Sequence, residues 1–291
     1  MSALEFLLAG TLAAALPLLL AALGEMVVEK TGLLNLGLEG MMALGAAIAF
    51  ICVYHSGSHS FGFLAAALAG ATLAMLFAFL VIFLKANEVA SGLAVGVLGL
   101  GLSALFGKNY ESLTISGLSE FGLLALSKIP VIGPALFTQD IVVWLAITGT
   151  MVLWFILNKT KLGLIIAAVG ENAEAARAIG YPVGAIRCAA VAFGGGMCGL
   201  AGAYASTVYT PLWADGMIAG RGWIALALVV FGTWQTGRVA FGAVLFGVLS
   251  LGELTAQAIG VAIPSQVLSS LPYFVTILML VAISRHRRHS S

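Results

Sequence analysis

The sequence predicts an all-α, polytopic membrane helix bundle of about nine transmembrane helices (range eight to ten), with one short helix outside the membrane. Three observations predict it. Hydrophobic residues make up 61% of the 291 residues and charged residues only 9%, with a mean hydropathy of +1.10. A soluble domain carries about 25% charged residues, so the polar shell that a soluble core of this length needs is missing. The apolar residues gather in runs long enough to cross a bilayer, about 20 residues each. Finally, 36 glycines supply small surfaces where helices can approach closely, which matters in lipid because no hydrophobic drive separates one apolar face from another.

Taken in order, the candidate spans lie at about 4–24, 33–54, 61–84, 88–107, 137–157, 184–208, 215–234, 239–260 and 267–284. The first begins without a basic leader and runs past signal-peptide length, so it reads as a retained span. A split or re-entrant helix near Glu25–Gly40 or Pro211–Gly222 accounts for the range of eight to ten. Gly92 and Gly96, and Gly195 and Gly199 with Ala201 to Ala203 beyond them, are small-xxx-small pairs suited to helix contact. With no internal repeat and no Pro/Ser-rich linker, residues 1–291 read as one domain. Between the fourth and fifth spans, about 108–136, a short amphipathic helix is expected near Leu118–Leu126. It would cover the outer mouth of the bundle or receive an external partner.

Basic residues set the orientation. With the tail Arg285, Arg287 and Arg288 placed in the cytosol and nine spans threaded backwards, Lys30, Lys85, Lys159, Lys161, Arg177, Arg187 and Arg238 also fall inside. Ten of the thirteen Lys and Arg are then cytosolic, leaving Lys108, Lys128 and Arg221 outside. The N-terminus is expected outside and the C-terminus in the cytosol.

On the cytosolic side lies the longest interruption that carries both charge signs and a helix signal, Asn158 to Arg187 (NKTKLGLIIAAVGENAEAARAIGYPVGAIR). Asn172 is placed to cap a helix N-terminus. Glu171 and Glu174 sit toward the positive end of that helix dipole and Arg177 toward the negative end. Ala173, Ala175, Ala176 and Ala178 favour the helix, and Gly180 followed by Pro182 ends it after about two turns. The product is a stub with a small-residue face, suited to lying in another protein's groove.

Gly170-Glu171-Asn172, Ala175-Ala176 and Gly180 resemble the coupling-loop motif of ABC importer permeases, among them the permeases for simple sugars, nucleosides and branched-chain amino acids. Two further segments carry the same resemblance in family order. Thr31 to Gly40 (TGLLNLGLEG) is similar to the early segment of the nucleoside-type permeases. Gly220-Arg221-Gly222-Trp223 with Ala225 and Ala227 resembles the family's Gly-Arg-Gly-aromatic-x-Ala-x-Ala segment. Lys85 to Gly92 (KANEVASG) looks like the family's Asn-x-hydrophobic-x-x-Gly entry to a span, although Glu88 stands where Gln is usual.

The residues of these segments have a physical reading of their own. Asn35 and Glu39 are four apart and share a helix face. Glu39 would lie roughly 9 Å in from Leu33 at 1.5 Å per residue. A charge at that depth costs about 2.5 kcal/mol or more, so Asn35 and Glu39 either face a polar cavity or bond to a neighbouring helix. Gly37 and Gly40 allow the helix to break there and offer backbone groups to a solute. Asn87 is placed to cap the fourth span, with Glu88 and Ser91 in its first turn. Arg221 stands among glycines, where its fork either pairs with a carboxylate such as Asp215 or lines the outer pathway. Glu253, deep in the eighth span, calls for a partner that the sequence does not identify.

Several classes are set aside on composition and spacing. A net charge of +1 without a basic face gives no nucleic-acid partner. Cys52, Cys188 and Cys198 lie in apolar runs without metal spacing. His55 and His59 flank a glycine in a serine-rich loop, which is no metal site. Gly101 to Lys108 has five residues between its glycines and Asn109 where Ser or Thr is required, so it is not a phosphate loop. No metal, cofactor or catalytic constellation is expected, and the chain reads as no enzyme.

The resemblance implies a permease subunit in the bacterial inner (plasma) membrane, surrounded by membrane lipid. It implies two such permease subunits, hetero- or homodimeric, with separate ABC ATPase subunits on the cytosolic side. An external solute-binding protein would deliver a small-molecule solute. The implied pathway residues are Asn35, Glu39, Asn87, Glu88, Ser91 and Arg221. The implied coupling residues are Gly170, Glu171, Asn172, Ala175, Ala176, Arg177 and Gly180. The Thr31–Gly40 pattern leans to a nucleoside or nucleobase, with simple sugars or branched-chain amino acids as the alternative. An ion-coupled secondary transporter using Glu39, Glu88 and Glu253 is the other class.

Overall fold

The computed structural model describes residues 3–118 and 139–258. Helix α1 spans Ala3–Glu29, α2 Leu38–Ser56 and α3 His59–Ala78, the last continuing as a π-turn to Phe83. After α4 (Glu88–Gly107) come α5 (Ile141–Lys159), α6 (Lys161–Glu171), α7 (Ala173–Ala178) and α8 (Val183–Tyr204), which continues as a π-turn to Tyr209. Helices α9 (Arg221–Phe231) and α10 (Thr236–Ala258) close the described chain. Among the described residues six helices are long and apolar enough to cross a membrane, and Arg221–Phe231 and Thr236–Gly252 are shorter apolar helices. The chain is a multi-pass membrane protein with an all-α bundle.

The expected spans differ from the observed ones at two places, for physical reasons. The second was expected from residue 33, yet α2 starts at Leu38. Residues 30–37 instead form a turn, an irregular stretch over 33–35 and a second turn, with Gly32 in a left-handed conformation at φ 79°. The seventh was expected over 215–234, yet α9 holds only 11 residues, about 16 Å at the helical rise. Its missing half is the irregular segment Thr210–Gly220, which enters the bundle beside it. Both breaks fall where a split or re-entrant helix is read from the sequence. The expected helix near Leu118–Leu126 and the span at 267–284 lie outside the described residues, as do the tail arginines and the side chain of Glu253.

What brings the helices together is the absence of side chains at their crossings. A methyl group on Gly40 of α2 would overlap the Gly96 carbonyl of α4, and one on Gly99 would meet the Gly40 backbone at 2.5 Å. Likewise a methyl on Gly70 of α3 would overlap the Gly195 carbonyl of α8, one on Gly199 the Ala66 carbonyl, and one on Gly202 the Met42 carbonyl. Gly96, Gly195 and Gly199 of the predicted small-xxx-small pairs lie in these contacts, and Gly92 packs on the Leu36 backbone. Two hydroxyls add interhelical bonds, Ser103 Oγ donating to the Ala43 carbonyl at 2.9 Å and Ser206 Oγ to the Ala46 carbonyl at 2.8 Å. The core of α1, α2, α3 and α8 holds Leu23, Met26, Met41, Met42, Phe50, Phe77 and Tyr204, each nearly inaccessible. Phe61, Leu68, Phe83, Val97, Leu105 and Met151 are exposed, as expected of surfaces whose solvent is lipid.

At one end, which we call the loop end, lie α6, α7, the 30–37 connection and the α9–α10 corner. At the far end His55 Nε2 and Tyr110 Oη are 2.7 Å apart, within an edge-to-face cluster with Tyr54. A single β-bridge there joins Thr114 to Leu212, and Trp213 packs buried against Gly107.

Candidate functional site

The polar groups inside the bundle meet at the 30–37 connection. The N–H groups of Lys30, Thr31 and Gly32 close on the Met26, Val28 and Glu29 carbonyls at the end of α1, and those further along need other acceptors. Two carboxylates supply them. Glu25 Oε1, from the last turns of α1, accepts the Asn35 N–H at 3.0 Å. Glu88 Oε2, from the first turn of α4, accepts the Leu34 N–H at 3.0 Å. Asn35 is itself buried, its Oδ1 accepting the Gly37 N–H at 2.9 Å and its Nδ2 lying 3.5 Å from the Met41 sulfur. On the other side Arg187 Nε donates to the Thr31 carbonyl at 3.1 Å.

Glu39, in the first turn of α2, faces the start of α9. Its Oε1 accepts the Gly220 N–H at 2.5 Å and its Oε2 the Gly222 N–H at 2.8 Å. The first N–H groups of a helix have no internal acceptors, and Gly220, left-handed at φ 82°, turns them toward α2. A carboxylate also suits the positive end of the dipole. Arg221 lies with its guanidinium 5.5 Å from the centroid of the Tyr209 ring, with Glu39 the carboxylate in its field. Asp215 accepts the Gly216 N–H. Trp223, the next side chain along α9 after Gly222, is exposed.

The structure thus gathers Asn35, Glu39, Glu88 and Arg221 around one connection and the start of one short helix. Asn87 stands at the edge, its Oδ1 capping the Ala90 N–H at 3.0 Å. Ser91 is buried in the first turn of α4.

The second group lies at the loop end. Helix α6 ends at Glu171, and Asn172 Oδ1 caps α7 by accepting the N–H groups of Glu174 at 3.1 Å and Ala175 at 2.9 Å. Six-residue α7 makes about the two turns expected, and Gly180 at φ 96° ends the stub. Ala176 is buried between Val169 and Val183, while Glu171, Asn172, Ala175, Arg177 and Gly180 are exposed. Gly170 sits against the connection: a methyl there would overlap the Lys30 carbonyl, and Gly32 faces the Gly170 carbonyl.

Sequence reasoning missed Glu25, Glu29, Arg187, Tyr209, Trp234 and Ile179 as site residues. Acidic residues within and at the end of an apolar span were a signal for Glu25 and Glu29. Ile179 is 72% exposed, a large apolar side chain in a polar stub. The bond from Trp234 Nε1 to Glu29 Oε2 at 2.5 Å joins residues 205 apart in the chain, and nothing local announces it. Among the described residues no His, Cys, Asp and Glu cluster has the makings of a metal site.

Comparison with known proteins gives consistent matches over most of the length. Residues 7–284 match the family described as "Branched-chain amino acid transport system / permease component". A Haloferax volcanii ABC transporter permease protein, provisionally named for glucose, is 39% identical over 94% of this chain and 90% of its own. A nucleoside ABC transporter permease protein of Lactococcus lactis subsp. cremoris is 32% identical over 95% and 92%. A guanosine ABC transporter permease protein of Bacillus subtilis is 32% identical over 95% and 91%. No solved structure matches the chain.

Proposed function

We infer, from the premise that this chain belongs to the branched-chain amino acid transport system permease family, how it works as the membrane-spanning subunit of an ABC importer. The observation that carries the mechanism is the exposed stub at the loop end, Gly170–Gly180, packed directly on the connection that holds the intramembrane polar groups. ATP chemistry belongs to separate ATPase subunits, and this chain supplies the path and the handle. The stub lies in the cytosol, where Ala175, Arg177 and Gly180 offer a thin face and Ile179 an apolar knob for the ATPase groove. Closure of the ATPases pushes the stub and tilts α9 against α2. A polar pathway then opens alternately to the two faces, past Glu39, Arg221, Tyr209 and Trp223. Glu39 and Asn35 keep the irregular backbone of that pathway satisfied. A second permease subunit, identical or a paralogue, forms the other wall, and an external binding protein delivers the solute from the far end. The membrane is the bacterial inner membrane, with the C-terminus cytosolic.

For the solute we propose a nucleoside or nucleobase. The Thr31–Gly40 pattern leans that way, two relatives are named for nucleosides and guanosine, and the Tyr209 ring lies beside the Arg221 guanidinium. A simple sugar is the second reading, favoured by the 39% identical relative named for glucose. The test is ATP-dependent uptake of labelled guanosine and glucose by vesicles holding the chain with its ATPase, partner permease and binding protein. Uptake of guanosine outcompeted by other nucleosides is the expected result. Uptake of glucose alone would overturn the solute. Accumulation by the chain alone on an ion gradient would overturn the ATP-driven mechanism.

A further inference from the structure

The 30–37 connection touches more of the polar machinery than any other described segment. At its start, Lys30 and Gly32 lie against Gly170: a methyl on Gly170 would overlap the Lys30 carbonyl, and one on Gly32 would lie 3.2 Å from the Gly170 carbonyl. Its Thr31 carbonyl is held by Arg187, at the start of α8 just after the stub. In its middle, Leu34 and Asn35 are held by carboxylates of α4 and α1. At its end the Gly37 amide is closed by Asn35, and a methyl on Gly37 would lie 3.0 Å from the Gly92 carbonyl of α4. Two residues later Glu39 grips the start of α9 through two N–H groups.

A flexible loop could not relay a push, because slack in its φ/ψ angles would absorb the displacement. In this one Thr31, Leu33 and Asn35 are buried, at 0%, 3% and 1% exposure, while Gly32 is exposed and Lys30, Leu34 and Leu36 are half-buried. The Leu34 and Asn35 amides and the Thr31 carbonyl are each held by a side chain of a different helix, which limits that slack. We propose that the Lys30–Gly37 connection is the transmission element that carries movement of the 170–182 stub to the start of α9, and that Glu25, Glu88 and Arg187 are the positioning residues that keep it taut. This rests on the stub being the ATPase handle. It adds the route by which the handle's motion reaches the pathway.

The substitutions separate transmission from docking. Gly170→Ala inserts a methyl between the stub and the Lys30 carbonyl, whereas Gly184→Ala, nearby on α8, meets only the Ile82 side chain at 4.0 Å. Arg187→Ala releases the Thr31 carbonyl, and Arg187→Lys keeps a donor. Glu25→Leu removes the Asn35 acceptor, and Glu25→Gln retains an oxygen that can accept it. The readout needs no solute: spin labels on Trp223→Cys and Val97→Cys, both exposed, report α9 against α4 in the complex with its ATPase. The distance should shift when ATP is added to the parent. The shift should fall at least threefold in Gly170→Ala, Arg187→Ala and Glu25→Leu while the ATPase still co-purifies. It should persist in Gly184→Ala, Arg187→Lys and Glu25→Gln. Gly170→Ala combined with Arg187→Ala should be no worse than either alone, because both act on one route. A full shift in Gly170→Ala and Arg187→Ala, or no shift in the parent, overturns the proposal. Loss of the ATPase from Gly170→Ala and Arg187→Ala overturns it too, since these residues would then be docking contacts. The handle itself is tested separately: Ile179→Glu leaving the ATPase bound would remove the docking reading and not the route.

Discussion

The crossings of α2 with α4 and of α3 with α8 differ from the joint between α2 and α9 in what fills the contact. At the crossings there is almost nothing: Gly40 against Gly96, and Gly70 against Gly195, bring backbone onto backbone. At the joint a charged side chain spans the gap, with Glu39 holding two N–H groups of a helix that begins inside the bundle. Close backbone contact is worth many small dispersion terms and has one good geometry. A carboxylate on two donors is a few strong bonds on a side chain with rotatable torsions, so it can follow a partner that moves. The first kind of contact fixes a frame, and the second would keep hold of α9 through the movement proposed for it.

The largest effect should come from filling the frame. Gly70→Leu places a branched side chain where the Gly195 carbonyl and the Gly199 amide already stand. Backbone cannot yield as side chains do, so the cost exceeds the usual 1–3 kcal/mol of overpacking. Folded protein, measured as the monodisperse fraction extracted from membranes, should drop tenfold or more. Survival at parental levels would mean that the crossing is loose.

Breaking the joint should act differently. Glu39→Ala leaves the Gly220 and Gly222 amides without their acceptor, at about 1–3 kcal/mol each. Glu39→Gln keeps one accepting oxygen and should lose about half as much. Both should still be found in the membrane, with uptake reduced more than tenfold in Glu39→Ala and less in Glu39→Gln. If yield and uptake fell together, the joint would be frame rather than tie.

The smallest effect is expected at the other end of α9. Thr233 and Trp234 both adopt left-handed backbone, φ 48° and 55°, in the corner leading to α10. Trp234 secures that corner by donating to Glu29. Trp234→Phe keeps the ring and removes the donor, and should lower the melting temperature in detergent by a few degrees. An unchanged melt would show that the corner holds by packing alone.

The frame was largely readable in the sequence, and the ties were not. Apolar runs of bilayer length and glycines four apart are local patterns, so α3, α4, α5 and α8 begin and end within a few residues of expectation. Asn87 and Asn172 were legible as caps because a cap acts two or three residues away. Glu39 was marked as a residue needing a partner, but that partner is 181 residues off and consists of backbone amides, which carry no identity. Arg221 was read as pairing with a carboxylate such as Asp215 or lining the outer pathway, and nothing in its neighbourhood of the sequence announces the Tyr209 ring, 5.5 Å from its guanidinium. A buried ion announces that it has a partner, and only the fold says which.

The height of α9 has a last consequence. Its 11 residues cover about 16 Å of a hydrocarbon layer about 30 Å thick. The irregular backbone of Thr210–Gly220 above it cannot rest against acyl chains, so water or protein must bathe it from the far side. Trp213 and Ile218 of that segment are buried in the bundle, so protein covers it there, and along this wall only α9, about 16 Å long, is built to face lipid.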